Sequence, residues 1–293
     1  MLDKNTLNSK KWLSPRCILT CICLLVAFNL HAQPSLVFNK RFVECEDKWV
    51  AFETDKYGYM QYGFIYIDEK MGLLLHHEGM FKPKRDSTYQ IKKLNAAMIK
   101  TRLAPNNIKV AIIPESLYND LQIDSIPAWL KNYKANSNSV SRLYQWGYFY
   151  NSWNECKKAL DFLLKAKSID AKHKGLSAEL AYSHNCLNEY DKALAILEDA
   201  IKDDPTDAYS NKEYIYALVN IKDINKAIEQ YHKSIALKVA ETYNDENCYN
   251  IQRYFYQQKD EKNFNIWKKE RRKWRNSNTK NPKYPKTFQK ELL

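Results

Sequence analysis

The sequence predicts an α+β N-terminal domain followed by an all-α helical solenoid of three repeats plus capping helices. Two observations lead to this fold class. Segments rich in β-branched and aromatic residues occupy the chain up to Ile113, and a step of 34 residues then separates Ala159, Ala193 and Ala227. A fixed period of this length is typical of solenoids, whose units stack because no single unit buries its own apolar face.

Residues 1–32 have the pattern of a cleaved secretory signal. Several basic residues precede an uncharged run from Cys17 to Phe28, and Ala32 provides a small residue before Gln33. The run is shorter than the about 20 apolar residues of a transmembrane helix, so an uncleaved anchor is the less favoured alternative. We therefore expect export and cleavage after Ala32.

The positive charge is concentrated at the C-terminal end. The whole chain has a formal net charge of +12, and ten basic but only two acidic residues lie between Lys268 and Leu293. The body is close to neutral, so the charge does not indicate a specific nucleic-acid interface. The basic tail, residues 276–293, has two interpretations: weak contact with an anionic surface, or a solvated end that keeps the protein soluble.

The N-terminal domain, residues 33–133, is predicted to contain a sheet. Trp49 to Phe52, Tyr62 to Ile67 and Gly72 to His77 have strand composition, and Asp68-Glu69-Lys70 indicates a hairpin between the last two. A further strand is expected from Ile108 to Ile113, where apolar residues alternate.

One helix is also predicted in this domain. Ile91, Leu94 and Met98 fall at helical spacing, which favours a helix packed on the sheet. A small, polar segment at residues 134–139 is predicted to link the domain to the solenoid.

The 34-residue step divides the solenoid, residues 140–241, into three units. These are residues 140–173, 174–207 and 208–241, each with two helical patterns around a short polar break. In the second unit Ala193, Leu197 and Ala200 share one helix face, where the small residues allow close approach of the partner helix. Pro205 ends that helix.

These units resemble the tetratricopeptide repeat (TPR) family. The second unit matches best, through Ala181, Ala193, Leu197, Ala200 and Pro205. The other two units carry part of the pattern but have Ala171 and Val239 where proline is usual. The matching residues of the first and third units are Trp146, Gly147, Tyr150, Ala159, Leu163, Ala166, Ile215, Leu218, Ala227, Tyr231 and Ser234.

Residues 242–275 are predicted to form capping helices. Phe264, Trp267 and Trp274 lie on one helical stripe and basic residues lie largely on the other. A solenoid needs a terminal helix whose outer side tolerates water, which favours a cap over a membrane-surface helix.

The motifs of common catalytic sites are absent from the sequence. The six glycines form neither GxGxxG nor a phosphate-binding loop, and there is no HExxH or GxSxG. His76-His77-Glu78 is a weak metal candidate because adjacent strand residues point to opposite faces. We expect no cofactor, no metal and no enzyme activity. The alternative is an enzyme with its site around Tyr57 to Glu78.

Four cysteines remain after signal cleavage: Cys45, Cys156, Cys186 and Cys248. Cys156 precedes the turn around Ala171 by 15 residues and Cys186 follows it by 15. An antiparallel helix pair joined there would bring the two to the same end. A disulfide between them is therefore a hypothesis, which requires Cα atoms within about 7 Å.

The TPR resemblance implies a concave groove lined by the first helix of each unit. By register, the partner-binding residues would be Tyr144, Tyr148, Asn151, Tyr182, Asn185, Tyr209, Lys212 and Tyr216. Tyr148, Tyr182 and Tyr216 are again 34 residues apart, and tyrosine rows suit protein recognition. The alternative is that these rings only pack between helices.

The predicted function is that of an exported scaffold or adaptor for a protein or peptide of the cell envelope. The end of the signal at Ala32-Gln33 resembles that of Bacteroidetes envelope proteins, which implies a periplasmic or outer-membrane-associated location. An immunity or inhibitor protein is a third alternative that the sequence does not separate from an adaptor.

Overall fold

The computed structural model describes residues 35–86, 88–94, 99–134 and 137–278. The predicted signal peptide and residues 279–293 of the predicted tail lie outside the described residues. An antiparallel sheet comes first and helices follow, in agreement with the predicted order of the two structural classes. Among the described helices, none is both long and apolar enough to cross a membrane.

The sheet contains six strands in the described part of the chain. They are β1 (Lys48–Ala51), β2 (Met60–Asp68), β3 (Gly72–Pro83), β4 (Tyr89–Lys93), β5 (Lys100–Arg102) and β6 (Ala111–Ile112). Their order is β4-β3-β2-β1-β6, and β5 pairs with the other half of β3. All pairings are antiparallel.

The predicted hairpin between β2 and β3 is confirmed. Asp68 Oδ1 accepts hydrogen bonds from the backbone N–H groups of Lys70 and Met71, both at 2.8 Å. Gly72 follows with φ of +81°, and a Cβ there would lie 3.1 Å from the ring of Phe149. Glycine therefore permits both the turn and the close approach of the first long helix.

The predicted helix at Ile91, Leu94 and Met98 is wrong. Ile91 lies in strand β4 opposite Phe81 of β3, and Met98 is outside the described residues. Residues 89–93 fit a strand as well as a helix when judged by spacing alone. Pairing with β3 makes them a strand. The strand expected from Ile108 to Ile113 is shortened to β6, and Ile108 is exposed.

One short helix, α1 (Tyr118–Leu121), and 3₁₀ turns at Phe42–Cys45, Glu115–Leu117 and Ala128–Tyr133 surround the sheet. The longer helices follow as hairpins, and a 3₁₀ turn at Glu241–Tyr243 precedes the last pair. They are α2 (Val140–Ser152), α3 (Cys156–Ile169), α4 (Leu176–Cys186), α5 (Tyr190–Asp203), α6 (Ala208–Asn220), α7 (Ile224–Ala236), α8 (Asn244–Gln257) and α9 (Glu261–Asn278).

The 34-residue step reappears in the turns inside the hairpins. Asn154, Asn188 and Lys222 all have positive φ, between 60° and 69°. Each lies between the two helices of its pair, where a left-handed residue ends the first helix. The helix pairs thus keep the step, while the number of true repeats stays a prediction.

Small side chains hold the two helices of each pair close together. Ala159, Ala193 and Ala227 are fully buried. In the first pair, a Cβ on Gly147 would lie 2.3 Å from Leu163 Cγ, so α2 approaches α3 more closely than any side chain would allow.

The sheet and the first helix pair share one hydrophobic core. Ile67 and Leu75 of the sheet belong to the same buried cluster as Trp146, Phe149 and Leu163 of α2 and α3. The second face of the sheet packs on residues 117–133. Residues 134–139, the predicted linker, therefore join parts that are packed together.

Polar groups also cross this junction. Trp146 Nε1 donates to Glu46 Oε1 at 3.0 Å, the Tyr150 hydroxyl donates to the other carboxylate oxygen, and Lys158 Nζ lies 3.2 Å from that oxygen. Burial alone would raise the pKa of Glu46, but the two hydrogen bonds and the ammonium groups of Lys134 and Lys158 hold it below its usual value. The carboxylate is thus ionised inside the junction.

The hypothesised disulfide between Cys156 and Cys186 is present in the structure. It joins the start of α3 to the end of α4, with the Cα atoms 6.2 Å apart. Cys45 and Cys248 are buried free thiols, and burial raises their pKa to about 11 and about 12, respectively. Neither is therefore poised as a nucleophile.

The last pair packs its aromatic stripe inward. Trp267 is buried, and Trp274 Nε1 donates to the Tyr231 hydroxyl at 2.8 Å. The same hydroxyl donates to Glu270 Oε1 at 3.0 Å. Helix α9 therefore closes the apolar side of α7 and presents its basic side outward.

Candidate binding surface

The first helices of the pairs, α2, α4, α6 and α8, lie next to one another in chain order. All eight residues predicted to bind a partner are on the first three of these helices. Their surroundings differ from one residue to the next.

Asn151 and Asn185 form two equivalent contacts between neighbouring helices. Asn151 Nδ2 donates to Glu179 Oε2 at 2.8 Å and to the Glu179 carbonyl at 3.0 Å. Asn185 makes the same two bonds to Glu213 at the same distances. All four side chains are buried. Both amides, which the register predicts to bind a partner, are buried and bonded between neighbouring helices.

Lys212 is also engaged inside the protein. Its Nζ lies 2.5 Å from Glu213 Oε1 and 3.3 Å from Glu246 Oε1, and the residue is 8% exposed. Burial alone would lower the pKa of Lys212, but the two carboxylates raise it above its usual value. The ammonium is already neutralised, so Lys212 does not offer a free positive charge to a partner.

Three tyrosine rings surround this ammonium. The ring centroids of Tyr209, Tyr182 and Tyr243 lie 5.2, 5.5 and 5.7 Å from Lys212 Nζ. Tyr209 is 6.5 Å from Tyr182 and 5.7 Å from Tyr243, measured between centroids. The cation–π contacts hold these rings together in one half-buried cluster.

Two further tyrosines of α2 extend the cluster. Tyr148 is 45% exposed, and it lies near enough to Tyr144 and Tyr243 to contribute to the raised pKa of both. Burial first, then Glu179 and Tyr148, raises the pKa of Tyr144 to about 12. We call the five residues the tyrosine surface: Tyr144, Tyr148, Tyr182, Tyr209 and Tyr243.

Glu179 is buried beneath the tyrosine surface, and its pKa is shifted. Burial, supported by the nearby Glu213, raises the pKa of Glu179 to about 7, against the opposing effect of the hydrogen bond from Asn151. The carboxyl is thus balanced between its neutral and charged forms near neutral pH.

Tyr216 belongs to a different environment from the other predicted tyrosines. It is half-buried, and its ring lies 6.4 Å from that of Tyr190, at the start of α5. Positions that are equivalent by the 34-residue step are thus not equivalent in their neighbours.

Sequence reasoning missed four residues: Tyr243 of the tyrosine surface, and the three carboxyl residues packed near it, Glu179, Glu213 and Glu246. A signal for two of them existed, because Glu179 and Glu213 are also 34 residues apart and follow Asn151 and Asn185 by 28. Tyr243 had no such signal, since it lies in the 3₁₀ turn before α8 rather than within a repeated helix.

The N-terminal histidines do not form a comparable site. His76 is buried and stacks on Trp129 at 4.7 Å, whereas His77 Nε2 is 2.9 Å from the Thr101 hydroxyl. Burial lowers the pKa of both rings. The described residues contain no group of three or more potential metal ligands.

A cleft of about 550 Å³ lies on another part of the helical region, between α5 and α7. Ile201, Pro205 and Leu237 provide apolar walls. At one end Glu198 Oε1 accepts from the Tyr214 hydroxyl at 3.1 Å and from Lys226 Nζ at 3.0 Å. This polar group is satisfied within the cleft.

No protein-family model matches the sequence, and the comparison with curated proteins finds no match. Solved structures show partial likeness. The crystal structure of MamA is 20% identical with a TM-score of 0.43, over 52% of this chain and 88% of that chain. MamA from Desulfovibrio magneticus RS-1 is 19% identical with a TM-score of 0.43, over 56% of this chain and 88% of that one.

YrrB, described as a TPR protein with an unusual peptide-binding site, is 16% identical with a TM-score of 0.40, over 54% of this chain and 75% of that chain. At these TM-scores the likeness supports no residue-level transfer.

Proposed function

We propose that this protein is a non-enzymatic interaction scaffold that binds a segment of a protein partner on the tyrosine surface. The observation that carries the proposal is the convergence of three tyrosines, from two helices and one turn, around a buried, ion-paired lysine, with Tyr144 and Tyr148 of α2 beside them. Tyrosine rings supply apolar contact area at small entropic cost, and their hydroxyls bond to peptide groups.

The charge of this surface limits the kind of partner. Lys212 is neutralised by Glu213, and Glu246 lies 3.3 Å from the same ammonium. Buried Glu179 adds a further carboxyl. The surface is therefore neutral to acidic, which favours a neutral or basic segment and disfavours an acidic C-terminal peptide.

Export to the cell envelope is part of the proposal. The disulfide between Cys156 and Cys186 supports it, because such bonds persist in oxidising compartments and are rare in the cytosol. We propose that the chain is cleaved after Ala32 and acts in the periplasm or at the outer membrane, where its partner is an envelope protein.

The test compares capture of envelope proteins by two matched double variants. Tyr148→Ala/Tyr243→Ala removes rings from the tyrosine surface, and Tyr57→Ala/Tyr256→Ala removes two tyrosines that are each 68% exposed elsewhere. We expect the first pair to weaken binding of the captured partner by tenfold or more, since central aromatic residues contribute about 2 kcal/mol each. The second pair should bind like wild type. Equal binding by both variants would refute the tyrosine surface as the site.

A further inference from the structure

The outer edge of the sheet carries a dense positive charge that the proposed partner site does not use. Residues 80–102 include seven basic residues and one acidic residue, Asp86. The basic residues are Lys82, Lys84, Arg85, Lys92, Lys93, Lys100 and Arg102. They lie on or beside β3, β4 and β5.

Strands β4 and β5 follow one edge of β3 and bring these residues together. The Leu94 N–H donates to the Glu78 carbonyl at 3.0 Å, and the His77 N–H donates to the Ile99 carbonyl at 3.0 Å. Residues 94 and 99 thus lie beside consecutive residues of β3. Because successive side chains of a strand point to opposite faces, basic groups flank this edge on both sides.

Two of these lysines are held in place without a carboxylate. Lys92 Nζ lies 4.3 Å and Lys82 Nζ 4.6 Å from the centroid of the Tyr59 ring, which is buried between them. In the described part of the chain, neither makes an ion pair, whereas Lys93 pairs with Glu78 at 2.9 Å. The edge therefore keeps ordered ammonium groups whose charge is not neutralised locally.

Exposed aliphatic side chains occur at the same edge. Leu94 is 42% exposed and Ile99 50% exposed, with Lys92 and Lys93 before the first and Lys100 after the second. Lysines alone would be explained by protection of an edge strand against pairing with another strand. That explanation does not require two exposed aliphatic residues between the basic ones.

We propose that this edge, which we call the basic edge, binds the surface of an anionic lipid bilayer. Its cations contact lipid headgroups, and Leu94 and Ile99 enter the boundary between headgroups and acyl chains. Peripheral membrane surfaces combine these two features, basic residues for attraction and apolar residues for shallow insertion. A dissolved polyanion would use the charges but would gain nothing from the aliphatic residues.

The experiment measures cosedimentation of the full chain with vesicles of phosphatidylcholine alone or mixed with phosphatidylglycerol. We expect binding only to the anionic vesicles. Lys82→Gln/Lys92→Gln should weaken it by about 25-fold, at about fivefold per lysine. Lys84→Gln/Arg85→Gln should act similarly without disturbing Tyr59, so a misfolded first variant does not decide the result. Leu94→Ser/Ile99→Ser should weaken binding by about fivefold.

The matched control is Lys157→Gln/Lys172→Gln, which removes two exposed lysines of the helical region and leaves the same net charge. The predicted basic tail is present in every variant. No binding of wild type to anionic vesicles, or equal weakening by the control, would overturn the proposal. Full competition by soluble polyglutamate, with no effect of the Leu94 and Ile99 changes, would assign the edge to a dissolved polyanion instead.

Discussion

The pKa values of two carboxyl groups, the partly buried Glu46 and the buried Glu179, are shifted in opposite directions because their neighbours differ. Glu46 is surrounded by donors and ammonium groups, which hold its pKa below the usual value. Burial, supported by the nearby carboxylate of Glu213, prevails at Glu179 over the bonds from Asn151 and Tyr209 and raises its pKa to about 7. Burial alone therefore does not determine the charge of a carboxyl group.

The raised pKa of Glu179 predicts that it destabilises the fold as the pH rises. A carboxyl with a pKa near 4.3 in the unfolded chain and about 7 in the folded chain contributes stability below its unfolded pKa and loses it through pH 7. We expect Glu179→Gln to be more stable than wild type at pH 8.5 by up to about 4 kcal/mol. Urea unfolding at pH 5 and pH 8.5 measures this.

The control for this prediction is Glu53→Gln, which changes an exposed carboxyl of the sheet region. It should leave the pH dependence of the unfolding free energy as in wild type. A Glu179→Gln protein with the wild-type dependence would show that this carboxyl does not titrate near pH 7 in the folded state.

At the scale of elements, the first and second helix pairs are tied by a covalent bond. The disulfide joins Cys156 of α3 to Cys186 of α4 and closes a loop with a sequence separation of 30 residues. A loop of this length predicts a stabilisation of roughly 3–4 kcal/mol from restriction of the unfolded chain. We expect Cys156→Ala/Cys186→Ala to lose about this much unfolding free energy.

Thiol counting on the chain from Gln33 checks the bond directly. Denatured protein without reductant should show two reactive thiols, those of Cys45 and Cys248, and four after reduction. Four thiols without reductant would contradict the disulfide. If the double variant loses stability but the thiol count of wild type does not change on reduction, the loss comes from packing at these positions and not from a disulfide.

The same elements show what the sequence predicts well and what it does not. The turn residues from Asp68 to Lys70 are enough to predict the hairpin between β2 and β3. The equal distances of Cys156 and Cys186 from Ala171 predict the disulfide. Ile91 was misassigned because its strand state depends on pairing with Phe81, a contact distant in sequence. The step of 34 residues places Tyr148 and Tyr216 at equivalent helix positions. Their neighbours do not repeat, because Tyr216 lies beside Tyr190 and Tyr148 lies near Tyr243.

On the scale of the whole molecule, the shared core implies that the sheet and the first helices unfold together. Ile67 of β2 is 1% exposed and belongs to the cluster that contains Trp146 and Phe149 of α2. Removing atoms there leaves a cavity between sheet and helix. A change in the sheet should therefore weaken the helices as much as the sheet itself.

We expect Ile67→Ala to lower the unfolding free energy by about 2–4 kcal/mol, the usual range for a buried aliphatic truncation. Helical circular dichroism and the amide protection of β2 and β3 should report one common midpoint in urea, because the sheet and the first helix pair share one hydrophobic core. Ile108→Ala, at a residue 52% exposed, should change the midpoint little. A helical transition that keeps its wild-type midpoint while the loss of amide protection in β2 and β3 shifts would mean that sheet and helices are separate folding units, joined by residues 134–139 as a true linker.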